Sequence, residues 1–164
     1  MKFTATIEIN GINPYVWVSA SRAQRIKASW KKPMPVLVQV NGKPDVPWRI
    51  NMMPAGDGGF YLYLAGEVRK ASTTQVGDRV EVSVTFDGEY KGGPQHEMPP
   101  ELATRLDGNT AAQAQWNALS PSRQKEILRY LAGLKSDEAR QRNIERVMQV
   151  LGGAKERFMA RDWN

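Results

Sequence analysis

The hydrophobic pattern of this chain changes its period once, near residue 87, and this change constrains the fold more than any other feature. Up to Asp87, apolar and polar residues alternate in short segments that are rich in β-branched and aromatic residues and bounded by turn residues. These segments are FTATIEI, PVLVQV, WRINMM, FYLYLA and RVEVSVTF. Further along, apolar residues recur at helical spacing. The sequence therefore predicts an α+β chain, in which a small, mostly antiparallel β-barrel precedes an α-helical C-terminal region.

The two patterns are separated by the segment DGEYKGGPQHEMPPE, in which glycine, proline and charged residues accumulate and no period survives. Such a composition is typical of a linker. We predict a barrel domain over residues 1–90, a linker over 91–98 and a helical region over 99–164. Two short helices, over 20–29 and 67–72, are expected to interrupt the strands of the barrel domain.

The helical region contains two clear N-terminal signals. Ser120 precedes Pro121, and Ser136 precedes Asp137 and Glu138, whose charges suit the first turn of a helix. The two helices that begin there carry apolar stripes that must be covered. The stripes are Ile127, Leu128, Leu131 and Leu134 on the first helix and Ile144, Val147, Met148 and Leu151 on the second. We expect an αα-hairpin that closes against the preceding helical segments, the barrel or another chain.

The formal net charge is +6, and its densest source is the segment RAQRIKASWKK. Its cations surround Trp30 without any acidic residue, a mixture that suits a nucleic-acid or phosphate surface. The same pattern fits a solvated helix face whose Ile26 and Trp30 pack inward, and we favour this second interpretation. The candidate binding residues in this segment are Arg22, Arg25, Lys27, Lys31 and Lys32.

A second group of cations lies close to aromatic residues on the predicted strands. A barrel mouth could gather this group around an anionic ligand. Alternation along each strand lets only half of the group face one side, so the aromatic rings could instead fill the barrel while the cations extend into solvent. The group consists of Trp48, Arg49, Tyr61, Tyr63, Arg69 and Lys70, of which Arg49, Arg69 and Lys70 are further candidate binding residues.

Gly77 and Asp78 stand directly before the last predicted strand. Glycine tolerates the positive φ that a sharp turn requires, and an aspartate side chain can accept hydrogen bonds from the backbone N–H groups of the turn. Because no partner for acid–base chemistry lies near Asp78 in the sequence, we predict a structural turn at Gly77 and Asp78.

Residues for most catalytic and metal chemistries are missing. The chain has no cysteine, and His96 is its only histidine, so one chain can build neither a thiolate site nor a two-histidine metal site. The segment AGDGG lacks the Lys-Ser/Thr that follows a phosphate-binding loop. We predict no catalytic residue, no metal site and no cofactor.

The segments VQVNGKPDVPWRINMMPAGDGGFYLYLAGEVRKA and VGDRVEVSVTFD resemble a small bacterial barrel family of unknown function, usually described as a double-split β-barrel, over roughly residues 2–88. The segments PPELATRL and ALSPSRQKEILRYLAGLKSDEARQRNIERVMQVL resemble the helical region labelled bacteriocin-protection, YdeI or OmpD-associated, over roughly residues 98–152. The resemblance implies an architecture and a link to bacteriocin protection or stress response. It carries over no catalytic or binding residue.

Together these features predict a non-catalytic binding or interaction protein of the cytoplasm. No segment approaches the eighteen apolar residues of a membrane span, and the N-terminal segment MKFTATIEIN does not have the pattern of a signal peptide. The expected partner is an anionic ligand or another protein, with no membrane involved. The alternative is a nucleic-acid-binding accessory or regulatory protein that uses the basic helix.

Overall fold

The structure is a computed structural model that describes residues 1–155, 157–159 and 161–162. The chain divides into two compact units, Met1–Lys91 and Gly92–Asn164. The first unit contains a curled antiparallel sheet with two short helices, and the second is built mainly of helices. This arrangement confirms the predicted α+β class. No helix in the described part of the chain has the length and apolarity that crossing a membrane requires.

The first unit contains seven strands and two helices of seven residues each. The alternating segments that the sequence singles out form strands here, whereas Asn13–Val18 is a strand outside the predicted set. In chain order the elements are β1 Lys2–Thr6, β2 Glu8–Asn10, β3 Asn13–Val18, α1 Ala20–Ile26, β4 Met34–Val40, β5 Lys43–Pro54, β6 Phe60–Tyr63, α2 Gly66–Ser72 and β7 Arg79–Phe86.

The seven strands form one antiparallel sheet in the order β1-β7-β4-β5-β6-β3-β2. The long strand β5 is shared: Lys43 to Met52 pair with β4, while Met53 and Pro54 pair with β6. The two edge strands, β1 and β2, are consecutive in the chain and are separated only by Ile7. A sheet whose opposite edges are joined by one residue must curl into a barrel-like form.

The interior of the curled sheet is filled mainly by valine. Alternate positions of the strands point inward, as the period of two predicts. The buried residues include Val16, Val18, Val36, Val38, Val40, Val80, Val82 and Val84, with Met34, Met52, Phe60 and Leu62. Ile26 and Trp30 pack against this core, in agreement with the inward packing that the sequence favours.

Helix α1 is shorter than predicted, because it ends at Ile26 instead of residue 29. Lys27 is extended, with φ −153°, and Ser29 has a left-handed φ of +57°. The side-chain oxygen of Gln24 accepts a hydrogen bond from the Ser29 backbone N–H at 3.0 Å, so the side chain of Gln24 holds the chain as it leaves the helix. Lys31 and Lys32 therefore lie on the connection to β4.

In the residues of the second unit that the structure describes there are four helices, α3 Pro100–Asp107, α4 Thr110–Ala118, α5 Pro121–Ala132 and α6 Asp137–Leu151. The hydroxyl oxygen of Ser120 accepts from the Arg123 N–H at 3.3 Å, and that of Ser136 accepts from the Ala139 N–H at 3.2 Å. These caps begin α5 and α6 where the sequence places them. Two short strands follow, β8 Arg157–Phe158 and β9 Arg161–Asp162.

The apolar stripes of α5 and α6 pack within the helical unit. Leu131 and Ile144 are almost completely buried in a core that also contains Leu102 and Leu106 from α3 and Trp116 from α4. The two helices therefore close against the preceding helical segments, which is one of the three arrangements that the sequence allows.

Candidate functional site

Four aromatic side chains lie together on the outer surface of the curled sheet. Tyr15 and Trp17 belong to β3, and Tyr61 and Tyr63 belong to β6. In the antiparallel register Tyr15 lies opposite Tyr63, and Trp17 lies opposite Tyr61. We call these four residues the aromatic face.

Strand alternation explains why these rings point outward. Val16 and Val18 on β3 and Phe60 and Leu62 on β6 are buried in the core. The residues between them must project from the opposite side of the sheet, where all four aromatic residues remain partly exposed. Met53 lies opposite Tyr61 on the neighbouring strand β5 and is 41% exposed, so it extends the apolar surface on that side.

Tyr61 is the centre of the aromatic face. Its ring centroid lies 5.1 Å from that of Tyr15 and 5.3 Å from that of Trp17, both in edge-to-face geometry. The ring of Tyr63 stacks on it at 5.8 Å. Such pairs contribute about 0.5–1.5 kcal/mol each beyond the burial of area. The four rings therefore form a connected and preorganised surface.

Polar contacts at the edge strand β2 hold two of the tyrosine hydroxyls. The Tyr15 hydroxyl donates to the Glu8 carboxylate at 2.5 Å, and the Asn10 side-chain amide donates to the Tyr63 hydroxyl at 3.2 Å. The hydrogen bond to Glu8 is the main cause that raises the pKa of Tyr15 to about 12. Tyr15 is therefore a neutral hydrogen-bond donor at every physiological pH.

Trp17 is positioned by the turn between β5 and β6. A Cβ atom added to Gly59 would lie 2.5 Å from Trp17 Cζ2, so the indole ring rests directly on the glycine backbone. The Asp57 carboxylate accepts a hydrogen bond from the Gly59 N–H at 2.9 Å. The acidic residue Asp57 and the ring of Trp17 thus meet at Gly59, at the other end of the aromatic face from Glu8.

The cations of the basic segment around α1 fall into two groups, those that lie over aromatic rings and those whose side chains are unpaired within the described residues. The Arg22 guanidinium lies 4.3 Å from the ring centroid of Phe3, and the Lys27 amine lies 5.0 Å from that of Phe86. Both cations therefore cover aromatic residues of the barrel. Arg25, Lys31 and Lys32 are exposed, and their side chains form no hydrogen bond or ion pair with another described residue.

Arg49 forms an ion pair. Its Nε lies 2.8 Å from Oδ2 of Asp87, whose side chain is only 6% exposed, whereas that of Arg49 is 46% exposed. The guanidinium also lies 5.8 Å from the ring centroid of Tyr90. The charge of Arg49 therefore compensates a buried carboxylate.

Arg69 and Lys70 lie in the last turn of α2, beside the turn that contains Asp78. They border an open surface cleft of about 640 Å³, together with Thr73 and Gln75. Arg69 Nε also donates to the Leu64 carbonyl at 3.4 Å. The cleft combines two cations with one carboxylate, so its charge does not favour an anion uniformly.

The six residues of the predicted barrel mouth do not form one site. Trp48 packs against the barrel core, whereas Tyr61 and Tyr63 face outward and Arg49 pairs with Asp87. The reason is the phase of each strand: Trp48 lies opposite the buried residue Val38, so it points inward. The interpretation in which the aromatic rings fill the barrel therefore holds for Trp48 but not for Tyr61 and Tyr63, which lie on the outer surface of the sheet.

The turn at Gly77 and Asp78 fastens the bend at Ile7. The Gly77 N–H donates to the Ile7 carbonyl at 2.8 Å, and the Ile7 N–H donates to the Asp78 carbonyl at 2.9 Å. The Asp78 carboxylate accepts from the Gln75 N–H at 2.8 Å, and Gly77 has a φ of +95°. Asp78 therefore satisfies a backbone donor next to the point where the chain passes from one sheet edge to the other.

Tyr15 and Trp17 are absent from the site residues that the sequence predicts, although a signal for them is present. The stretch YVWV alternates aromatic and β-branched residues with a period of two, which indicates a strand with one aromatic side. Within the described residues, no three His, Cys, Asp or Glu side chains are grouped so that they could hold a metal ion.

Two known families match this chain, one over the region with strand periodicity and one over the region with helical periodicity. Residues 3–84 match the model described as "Domain of unknown function (DUF1905)", and residues 95–152 match the model described as "Bacteriocin-protection, YdeI or OmpD-Associated". No curated protein matches significantly. The first match covers half of the chain. Together the two matches confirm the predicted two-part architecture. The chain therefore belongs to the DUF1905 family and carries, after that domain, a region of the bacteriocin-protection, YdeI or OmpD-associated type.

Proposed function

We propose that this chain is a non-catalytic binding protein of the cytoplasm and that the aromatic face is its binding surface. The observation that carries the proposal is the group of four partly exposed rings, Tyr15, Trp17, Tyr61 and Tyr63, on the outside of the sheet. The family description matched by residues 95–152 supports a role of this binding in bacteriocin protection.

Physical chemistry favours a partner for this face. A solvent-exposed sheet surface usually carries polar residues, and rings gathered on such a surface leave apolar area in water. Tyrosine and tryptophan are also the residues that contribute most to binding energy at protein interfaces, because they offer large rigid contact areas at a small entropic cost. The hydrogen bonds to Glu8 and Asn10 restrain two of the rings before any partner arrives.

The placement of the acidic residues supports a non-catalytic role. Asp78 accepts a backbone hydrogen bond in its turn, and Asp87 is paired with Arg49. Glu81 forms an ion pair with Lys2 on the barrel surface. General acid–base catalysis requires a positioned titrating group that is available to a substrate, and these three carboxylates are engaged in structural contacts.

The proposal is tested by photo-cross-linking in the cells that produce the protein. A photoreactive phenylalanine analogue replaces Tyr61 in one variant and Thr85, an exposed residue of β7, in the control. We expect discrete adducts from position 61, none of them from position 85, and their disappearance when Trp17→Ala is added. Identical adduct patterns at the two positions, or no adduct at position 61, would contradict the proposal.

A second candidate function is nucleic-acid binding by the basic segment. The observation in its favour is that Arg25, Lys31 and Lys32 are exposed and are not paired with any described residue. Binding of a mixed-sequence DNA or RNA oligonucleotide should then weaken steeply with salt. Replacing the three cations by glutamine should reduce the slope of log K against log[salt] by about 1 for each phosphate that is no longer neutralised. Binding that does not depend on salt would argue against this function.

A further inference from the structure

Two acidic residues border the aromatic face, although the protein as a whole has a net charge of +6. Glu8 lies at one end, hydrogen-bonded to Tyr15. Asp57 lies at the other end, beside Gly59 and Trp17. Neither carboxylate forms an ion pair with a described lysine or arginine. A partner that reaches this face therefore meets negative charge on both sides of the rings.

The rings of the aromatic face also lack the cations that cover other aromatic residues of this barrel. Phe3 is covered by Arg22, Phe86 by Lys27, and Tyr90 is approached by Arg49. No lysine or arginine within the described part of the chain lies over the rings of the aromatic face. The exposed parts of these rings therefore offer electron-rich surface to a cation from outside the chain.

We propose that the aromatic face binds a basic segment of a partner polypeptide, whose arginine side chains stack on Tyr61 and Trp17 while their charges pair with Glu8 and Asp57. This inference rests on the proposed function and adds the chemistry of the partner. Arginine fits best, because its planar guanidinium stacks on aromatic rings and binds carboxylates through two parallel hydrogen bonds.

Charge distinguishes this partner from a single-stranded nucleic acid, which also stacks on aromatic surfaces. The backbone phosphates of a nucleic acid would meet the carboxylates of Glu8 and Asp57. Arg25, Lys31 and Lys32 lie in α1 and in the connection to β4, not on the strands that carry the aromatic face. Complementarity of potential therefore favours a cationic partner.

The test measures fluorescence anisotropy of a labelled peptide in which arginine alternates with glycine, titrated with the full chain. The comparison probes are the same peptide with glutamate in place of arginine and a labelled oligothymidine. We expect the arginine peptide to bind more tightly than both. Tyr61→Leu keeps the apolar contact but removes the ring, so it should weaken binding about tenfold, while Tyr61→Phe should stay within about twofold of the unmodified protein.

The acidic residues are tested by the double change Glu8→Gln and Asp57→Asn, which keeps a side-chain oxygen as acceptor for Tyr15 and Gly59. We expect binding to weaken about fivefold and to become less dependent on salt. Glu89→Gln, an exposed acid of the same unit, is the matched control and should leave binding unchanged. The thermal melt of each variant shows whether it is folded.

Two results would overturn the inference. One is oligothymidine binding as tight as that of the arginine peptide and equally sensitive to Tyr61→Leu. The other is no binding of the arginine peptide by a chain that still cross-links a partner from position 61. The second result would leave the proposed function intact. If the cross-link from position 61 were also absent, both the proposed function and this inference would be contradicted.

Discussion

Asp78→Ala tests whether the turn before β7 holds the bend of the barrel. The Asp78 carboxylate accepts one hydrogen bond from the backbone of Gln75, at 2.8 Å. The same turn exchanges two backbone hydrogen bonds with Ile7, the residue that joins the two edge strands. Removing the carboxylate leaves the Gln75 N–H without its acceptor and loosens the turn that carries these bonds.

The magnitude follows from this single hydrogen bond. It is charge-assisted but exposed, so its removal resembles the removal of a helix N-cap and should cost about 1–2 kcal/mol in the free energy of unfolding. In a unit of this size 1 kcal/mol corresponds to a decrease in Tm of roughly 4–8 °C. Asp78→Asn keeps an acceptor oxygen and should destabilise the barrel less than half as much.

Urea denaturation followed by circular dichroism measures the change. Asp45→Ala is the matched control, because Asp45 is an exposed carboxylate near the start of β5 in the first unit and its side chain forms only a surface ion pair with Lys43. We expect that control to change stability by less than about 0.5 kcal/mol. If Asp78→Ala changes stability as little as Asp45→Ala does, the carboxylate is not structural, and a chemical role for Asp78 must be considered.

Three further changes test other parts of the structure. Gly77→Ala should destabilise the barrel by about 1 kcal/mol or more in urea denaturation, because alanine is strained at the φ of +95°. The added Cβ has no atom within 4 Å, so no clash contributes; an unchanged stability would refute this. Arg49→Gln should cost about 2 kcal/mol by the same measurement, since it leaves Asp87 buried without its cation; unchanged stability would argue against this structural role and favour Arg49 as a binding residue. Leu131→Ala should lower the unfolding free energy of the helical unit by about 3 kcal/mol, because the side chain is completely buried, and a decrease of less than about 1 kcal/mol would show that the stripe is not in a core.

Much of the fold can be predicted from local signals. Ser120 and Ser136 cap their helices because a serine hydroxyl before a helical pattern has a nearby backbone N–H to bind, and this depends on a few adjacent residues only. The alternating segments form strands for the same reason. The closure of the sheet at Ile7 cannot be predicted in this way, since it depends on pairing between residues distant in sequence.

The aromatic face escapes prediction because a period of two shows which residues share a side, but not which side faces the core. Tyr61 and Tyr63 alternate with Phe60 and Leu62, and both sets are apolar enough to be buried. The choice is made by the neighbouring strand, where Val16 and Val18 fill the interior. That strand, β3, lies outside the predicted set, so the partners of the two tyrosines are not evident from the sequence.

Whether the aromatic face is the binding surface is best decided by NMR mapping of the contact site of the arginine–glycine peptide on the isotopically labelled full chain. We predict that amide shift changes concentrate on β3 and β6, around Trp17 and Tyr61, and that they disappear in the Tyr61→Leu variant. Shift changes centred instead on residues 25–32, or spread evenly over the acidic residues of the surface, would contradict the proposal.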